Sequence, residues 1–186
     1  MKGRHRRSTL HSVLEEPIIA IPDELERAFR AQHGLVFRTA YRITGCASDA
    51  EDVLQTVFLR LLRRDRGALA MENPESYLRR AAINAALDVI RSRQADPTIP
   101  LPEDIPGTIP DALRPDTSGL RQALATAIAK LNPRPAEIFA LRFLEGLSNP
   151  EIAQMLGISQ IRVAVIVHRT RLQLRKELRP YLGDRS

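Results

Sequence analysis

Cysteine occurs once in the 186 residues, at Cys46. A lone thiol excludes a disulfide framework and a thiolate metal site, and it fits a reducing compartment. The four histidines (His5, His11, His33 and His168) are scattered and form no Cys/His cluster, so no metal site is expected. There is no Walker loop, no G-x-G-x-x-G and no H-E-x-x-H, and no Ser/His/Asp set can be assembled in any order. The chain is therefore read as a non-enzyme, with no catalytic residue, no cofactor and no small-molecule substrate. Long apolar runs are absent too. Basic residues open the chain (Lys2, Arg4, Arg6, Arg7), but Glu15, Glu16 and Pro17 interrupt the only candidate apolar stretch, so no signal peptide forms. Nothing approaches a membrane span. No membrane insertion is expected, and a cytoplasmic location is. Strand alternation and internal repeats are also lacking, which leaves an all-α fold.

Charge is plentiful but uneven. The chain carries +6 overall, with an isoelectric point near 10.2. Residues 1–22 and 23–93 each carry +2, residues 94–119 carry −4, and residues 120–186 carry +6. A basic C-terminal part beside an acidic middle favours a polyanionic partner for the former. Six prolines (Pro97, Pro100, Pro102, Pro106, Pro110, Pro115) break the acidic middle, so no useful helix fits there. This divides the chain into an extension (1–21), a first helical domain (22–93), a linker (94–119) and a second helical domain (120–186). Domains of this size bury modest cores, which suits small bundles.

In the first domain, Asp23 and Glu24 open a helical pattern whose apolar stripe (Leu25, Phe29, Leu35, Val36, Thr39, Ala40, Ile43) ends at Gly45; Gly34 could allow a bend or break. Residues 47–64 follow the i, i+3, i+4 rule without a miss through Ala50, Val53, Leu54, Val57, Phe58, Leu61 and Leu62. Ser48 is the expected cap. Asp52, Gln55 and Leu59 lie one turn apart on the opposite face, a mixed patch fit for a partner. Asn73-Pro74 starts a third helix, running to about Arg93. Leu78, Ala81, Ala82, Ala85, Val89 and Ile90 are its burial candidates, while Tyr77, Arg80, Asn84, Asp88 and Arg91 share another face. Arg can grip phosphate, Asn can read a base, and Tyr can stack on an unpaired one.

In the second domain, Leu120, Leu124, Ile128 and Leu131 mark one helix by their spacing. Asn132-Pro133 caps the next, which packs Ile138, Leu141 and Leu144 and runs to about Glu145. The run from Ser148 to Arg171 then reads as helix, tight turn, longer helix. Ser148 and Glu151 make a capping box, Gly157 suits a left-handed helix end, and Ser159 can cap the second helix. This is the layout of a DNA-binding helix-turn-helix, whose second helix enters the major groove.

With both halves placed, the chain resembles an extracytoplasmic-function sigma factor of bacterial RNA polymerase, in the sigma-70 family. DAEDVLQTVFLRLLRR (Asp49 to Arg64) is similar to the region 2 helix that grips the polymerase clamp. NPESYLRRAAINAALDVIR (Asn73 to Arg91) is similar to the helix that holds the −10 element, and LNPRPAEIFALRFLEGLSNPEIAQMLGIS (Leu131 to Ser159) to region 4, which binds the −35 element. The run ENPESYLRR leans toward the iron-uptake subgroup. The resemblance implies core RNA polymerase, promoter DNA and an anti-sigma factor as partners. It also implies that Asp49, Asp52, Gln55 and Leu59 face the clamp. The loop with Arg66, together with Tyr77, Arg79, Arg80, Asn84 and Arg91, would then hold the −10 strand. Gln160, Ile161, Arg162, Ala164, Val165, His168, Arg169 and Arg171 would face the −35 element, and the acidic linker would thread toward the RNA exit path.

One departure stands out. Where the family often carries polar or basic groups on the groove face, this chain has Ile161, Ala164 and Val165. Such a face can read thymine methyls and DNA shape. Two rival readings compete with a sigma factor. One is a stand-alone helix-turn-helix regulator, which leaves 47–93 unexplained. The other is a sigma-like interaction protein whose last helix binds a partner.

Overall fold

The computed structural model describes residues 23–63, 73–95 and 118–182. The expectations for residues 1–21, for most of the linker and for Arg66 with its loop fall outside these. Seven α-helices and no strand occur among the described residues. They are α1 (Asp23–Thr44), α2 (Ala47–Arg63), α3 (Pro74–Ala95), α4 (Ser118–Ala129), α5 (Pro133–Phe139), α6 (Asn149–Leu156) and α7 (Gln160–Leu182). A widened π turn, Ala140–Leu144, continues α5.

The first three helices pack on one another, and α7 packs against α4, α5 and α6. The stripe expected on α2 is inside: Ala50, Val53, Val57, Phe58 and Leu61 are buried, and Leu54 and Leu62 are half-buried. α3 differs from expectation. Its predicted face is buried at Leu78, Ala82, Ala85 and Ile90 and half-buried at Ala81 and Val89, yet Ile83 and Leu87 on the Arg80/Asn84 side are also closed to solvent, at 0% and 1% exposure. The reason is that α3 has neighbours on two sides: α1 and α2 on one, α4 and α5 on the other. The buried residues of both halves accordingly make one hydrophobic cluster.

Most of the local signals act as read. Gly45 (φ 70°) ends α1, and Asn73 Oδ1 accepts the Ser76 amide at 2.9 Å to cap α3. Four expectations are corrected. Gly34 does not break α1, which runs unbroken to Thr44. Ser48 is not the cap of α2, because the reversal at Gly45 lets the helix begin two residues earlier, at Ala47, and the Cys46 carbonyl accepts the Ala50 amide. Asn132 makes no side-chain cap on α5. A cap normally takes the amide of the second or third helical residue, and the third here is Pro135, which has none. The single helix expected through Glu145 is also divided, because its last turn widens and the Glu145 amide reaches back to the Ala140 carbonyl at 3.0 Å.

The helix-turn-helix is fixed at both ends of α6. Ser148 Oγ accepts the Glu151 amide while Glu151 Oε2 accepts the Ser148 amide at 2.7 Å, a closed capping box. Gly157 (φ 63°) ends the helix in the left-handed region. Ile152 and Val163 are fully buried between the two helices, and the chain direction turns by 111° from α6 to α7. Hydrogen bonds from Ser148, first its hydroxyl and then its amide, hold the Glu151 carboxyl below the usual carboxylate range. Ser148→Ala is expected to lower stability to urea by about 1 kcal/mol. It should also return the Glu151 titration, followed by NMR, toward its ordinary value.

Candidate nucleic-acid interface

Three surfaces carry the residues singled out in the sequence. On α2, Asp52, Gln55 and Leu59 are exposed and aligned, and Leu59 leaves half its surface in solvent. Asp49 is not part of this patch. It is buried, and one of its carboxylate oxygens accepts from Arg93 of α3. Its other oxygen, Oδ2, has no partner. Burial pushes the Asp49 carboxyl above its ordinary value, against the opposing pull of the Arg93 charge, and nearby Asp52 raises it further.

On α7, all eight residues assigned from the sequence (Gln160, Ile161, Arg162, Ala164, Val165, His168, Arg169, Arg171) are exposed, while Val163 is buried and Val167 half-buried. The helix thus presents a continuous outward face. Ile161 is 78% exposed and Val165, one turn on, is 43% exposed, so the outward face carries an adjoining apolar pair. Ser159 Oγ caps the start of this helix by accepting the Arg162 amide at 3.3 Å.

On α3 the picture is richer than the sequence suggested. Arg79, Arg80 and Asn84 all reach the second half of the chain. Arg80 Nε donates to Glu137 Oε1 at 2.8 Å, and the Asn84 amide approaches the same oxygen at 3.5 Å. The second oxygen of Glu137 accepts from Arg134 at 2.8 Å, and Arg134 also donates to the Leu156 carbonyl. Arg79 holds Glu145 with one guanidinium nitrogen and Glu75 with another. Arg42 of α1 holds the second oxygen of Glu145 at 3.0 Å. The side chains of Glu137 and Glu145 are 5% and 1% exposed, so both carboxylates are enclosed by arginines. Arg91 stands apart, paired with Asp88 at 3.3 Å, and Tyr77 is half-buried. Glu137, Glu145, Arg42 and Arg134 escaped the sequence reading. A signal for Glu137 existed: it lies four residues before Leu141 and seven before Leu144, on the stripe that periodicity assigns to the interior.

The architecture defines a two-part helical protein whose C-terminal part presents a helix-turn-helix. Residues 28–95 match the family model described as Sigma-70 region 2, and residues 121–174 match Sigma-70, region 4. The RNA polymerase sigma-E factor of Streptomyces avermitilis is 31% identical over 157 residues, 83% of this chain and 85% of that protein. The ECF RNA polymerase sigma factor SigE of Mycolicibacterium smegmatis is 35% identical over 170 residues, 87% of this chain and 63% of that protein. Among solved structures, the sigma factor RpoE from Bartonella quintana, in complex with the anti-sigma factor NepR, shares the fold. Its TM-score is 0.51 at 17% identity, over 88% of this chain and 100% of that one. The chain belongs to the extracytoplasmic-function RNA polymerase sigma factors of the sigma-70 family.

The Asp49 environment has a pH signature. Its folded pKa lies above the ordinary 3.8, so the folded chain holds this proton more tightly than the unfolded chain does. That contribution favours folding below the ordinary value and is lost as pH rises through the raised one. Urea unfolding across the acid range should show the native chain losing stability relative to Asp49→Asn as pH increases, since the amide has no such step.

Proposed function

We propose that this chain is a dissociable, promoter-selecting subunit of bacterial RNA polymerase. It binds the core enzyme, recognises the −10 and −35 elements and starts transcription. One observation carries the reading: both sigma modules stand in one chain, in order, with the α2 patch and the outward face of α7 open to partners. It is a transcription initiation factor rather than an enzyme in itself. Placement in the iron-uptake subgroup rests on the run Glu72 to Arg80 alone.

The assignment of roles rests on the chemistry of each surface. Asp52, Gln55 and Leu59 offer a carboxylate, an amide and an apolar group on adjacent turns, suited to a clamp helix; Asp49 supports that helix from inside through Arg93. Tyr77, Arg79, Arg80, Asn84 and Arg91 on α3, with Arg66 before it, are assigned to the −10 strand. Extruding a base costs a few kcal/mol, which cationic and stacking contacts must offset. On α7, Arg162, Arg169 and Arg171 supply phosphate grip, while Ile161, Ala164 and Val165 read thymine methyls. An anti-sigma factor is the expected inhibitor. The exposure of Ile161 also suits a second reading, in which α7 serves a protein partner and −35 recognition is residual.

Run-off transcription with purified core polymerase tests the function. The native chain should support it, and Leu59→Arg with Gln55→Ala should reduce both transcript yield and core binding in a pull-down without lowering the melting temperature. Core binding that survives the double change would refute the clamp assignment. For α7, replacing the thymines of the −35 element with uracil should cost modest affinity, less than the roughly 1–3 kcal/mol of a bidentate base contact. Equal binding of the uracil promoter, with Val165→Asp abolishing only anti-sigma binding, would favour the protein-partner reading.

A further inference from the structure

Gly34 stands in the middle of α1, where a helix disfavours glycine, and no turn or positive φ there calls for one. What it provides is bare surface. A Cβ built at this position would come within 3.0 Å of Arg38 Nη1, so the Arg38 side chain folds back one turn and lies along the helix over the glycine. Arg30 is paired with Glu26 and Arg42 with Glu145, but among the described residues no carboxylate meets Arg38. On the same side, Tyr41 is 37% exposed, and its ring lies nearly parallel to that of Phe37, at 9° with 6.2 Å between centroids. From Ala28 to its end α1 carries arginines and no acid. Its solvent face therefore combines an exposed ring, an unclaimed guanidinium and a strip of helix with no side chain in the way.

We propose that this face of α1 is a stacking platform for unpaired bases of the DNA strand separated at the −10 element. The inference rests on the assignment of Arg79, Arg80 and Asn84 to that strand. An unpaired strand offers flat bases and a regular line of phosphates. A phenol ring and a guanidinium plane each stack on a base whatever its identity, and a guanidinium without a carboxylate also takes a phosphate. A duplex, whose bases are closed between their neighbours, offers no plane to this face. Gly34 and Tyr41 are seven residues apart, roughly 10 Å of helix, which is room for about three stacked bases. The platform also adjoins the −10 surface. Arg42, one turn beyond Arg38, and Arg79 of α3 hold the two oxygens of one carboxylate, that of Glu145. A strand lying along α3 therefore meets Arg42 next, and Arg38 and Tyr41 after it. Bases held there add to the lifetime of the open complex without regard to sequence, and promoter choice stays with the other surfaces.

Fluorescence anisotropy of the full chain with a short fluorescein-labelled oligothymidine strand tests the platform. Gly34→Glu places a carboxylate four residues before Arg38, an arrangement that suits the helix and occupies the guanidinium. Tyr41→Ala removes the ring. Each should weaken binding of the single strand about tenfold, the equivalent of one lost stacking contact. Each should also keep the native melting curve and leave affinity for a duplex of equal length unchanged. Equal loss on strand and duplex, or no loss, overturns the proposal. So does tighter binding of a polyglutamate peptide that is lost with Arg38→Gln and kept with Tyr41→Ala, which marks the face as a protein contact. Holoenzyme assembled with core polymerase separates the platform from the −10 assignment. A −10 oligonucleotide lengthened by a few bases at both ends should bind tighter than the bare element, and Gly34→Glu should abolish that gain while the bare element binds as before. A lengthened strand with no gain overturns the platform. Arg80→Ala without effect on the bare element, with the gain retained, supports the platform and refutes the −10 assignment alone.

Discussion

Burial of α3 on two sides is the constraint on which the rest of the arrangement depends. A helix that packs on both flanks needs apolar groups around most of its circumference and little bulk at the closest approaches. Ala82, Ala85 and Ala86 supply the small surfaces, and Leu78, Ile83, Leu87 and Ile90 fill the spaces between neighbours. One flank completes the three-helix bundle with α1 and α2. The other accepts α4 and α5, so the second half of the chain is placed by the same helix that organises the first. What remains exposed is decided by exclusion: the outer faces of α2 and α7, which both lie away from α3.

That shared helix also forces an electrostatic solution. The rim of a face covered by another element cannot keep unpaired guanidinium groups, since an enclosed charge without a partner is expensive. Arg79 and Arg80 are matched by Glu145 and Glu137, and the charge left over on each carboxylate is met by Arg42 or Arg134. The basic excess of the chain is thereby concentrated elsewhere, on α7, where Arg162, Arg169, Arg171, Arg175, Lys176 and Arg179 stand exposed.

How much of this was legible in the sequence depended on whether the determinant was local. The capping box of Ser148 and Glu151, the left-handed Gly157 and the stripe of α2 are set by residues within one or two turns, and each is where periodicity and turn chemistry put it. The outward face of α7 was readable for the same reason, being the complement of Val163 and Val167. The burial of Ile83 and Leu87 was not. Their neighbours on α4 and α5 lie some 30 to 55 residues further along the chain, and nothing in α3 itself announces a second contact face. The same distance hid the pairing of Arg79 and Arg80, whose helical face reads equally well as solvated. Asp49 was misjudged in another way: its role is decided by Arg93, 44 residues on, which draws it inward from an otherwise polar helix start.

The widened turn at Ala140–Leu144 sets the phase between the two enclosed carboxylates. Eight residues of regular α-helix would leave Glu145 rotated about 80° around the axis from Glu137. A turn that closes from Glu145 back to Ala140 accommodates one extra residue and removes about 100° of that rotation, so the two side chains fall within roughly 20° of one azimuth. Both can then point to the same neighbouring bundle, stacked along the axis like two teeth of a comb. The spacing between these teeth is a property of backbone hydrogen bonding rather than of either glutamate. A chain one residue shorter or longer in this segment would keep both acids yet aim them at different neighbours.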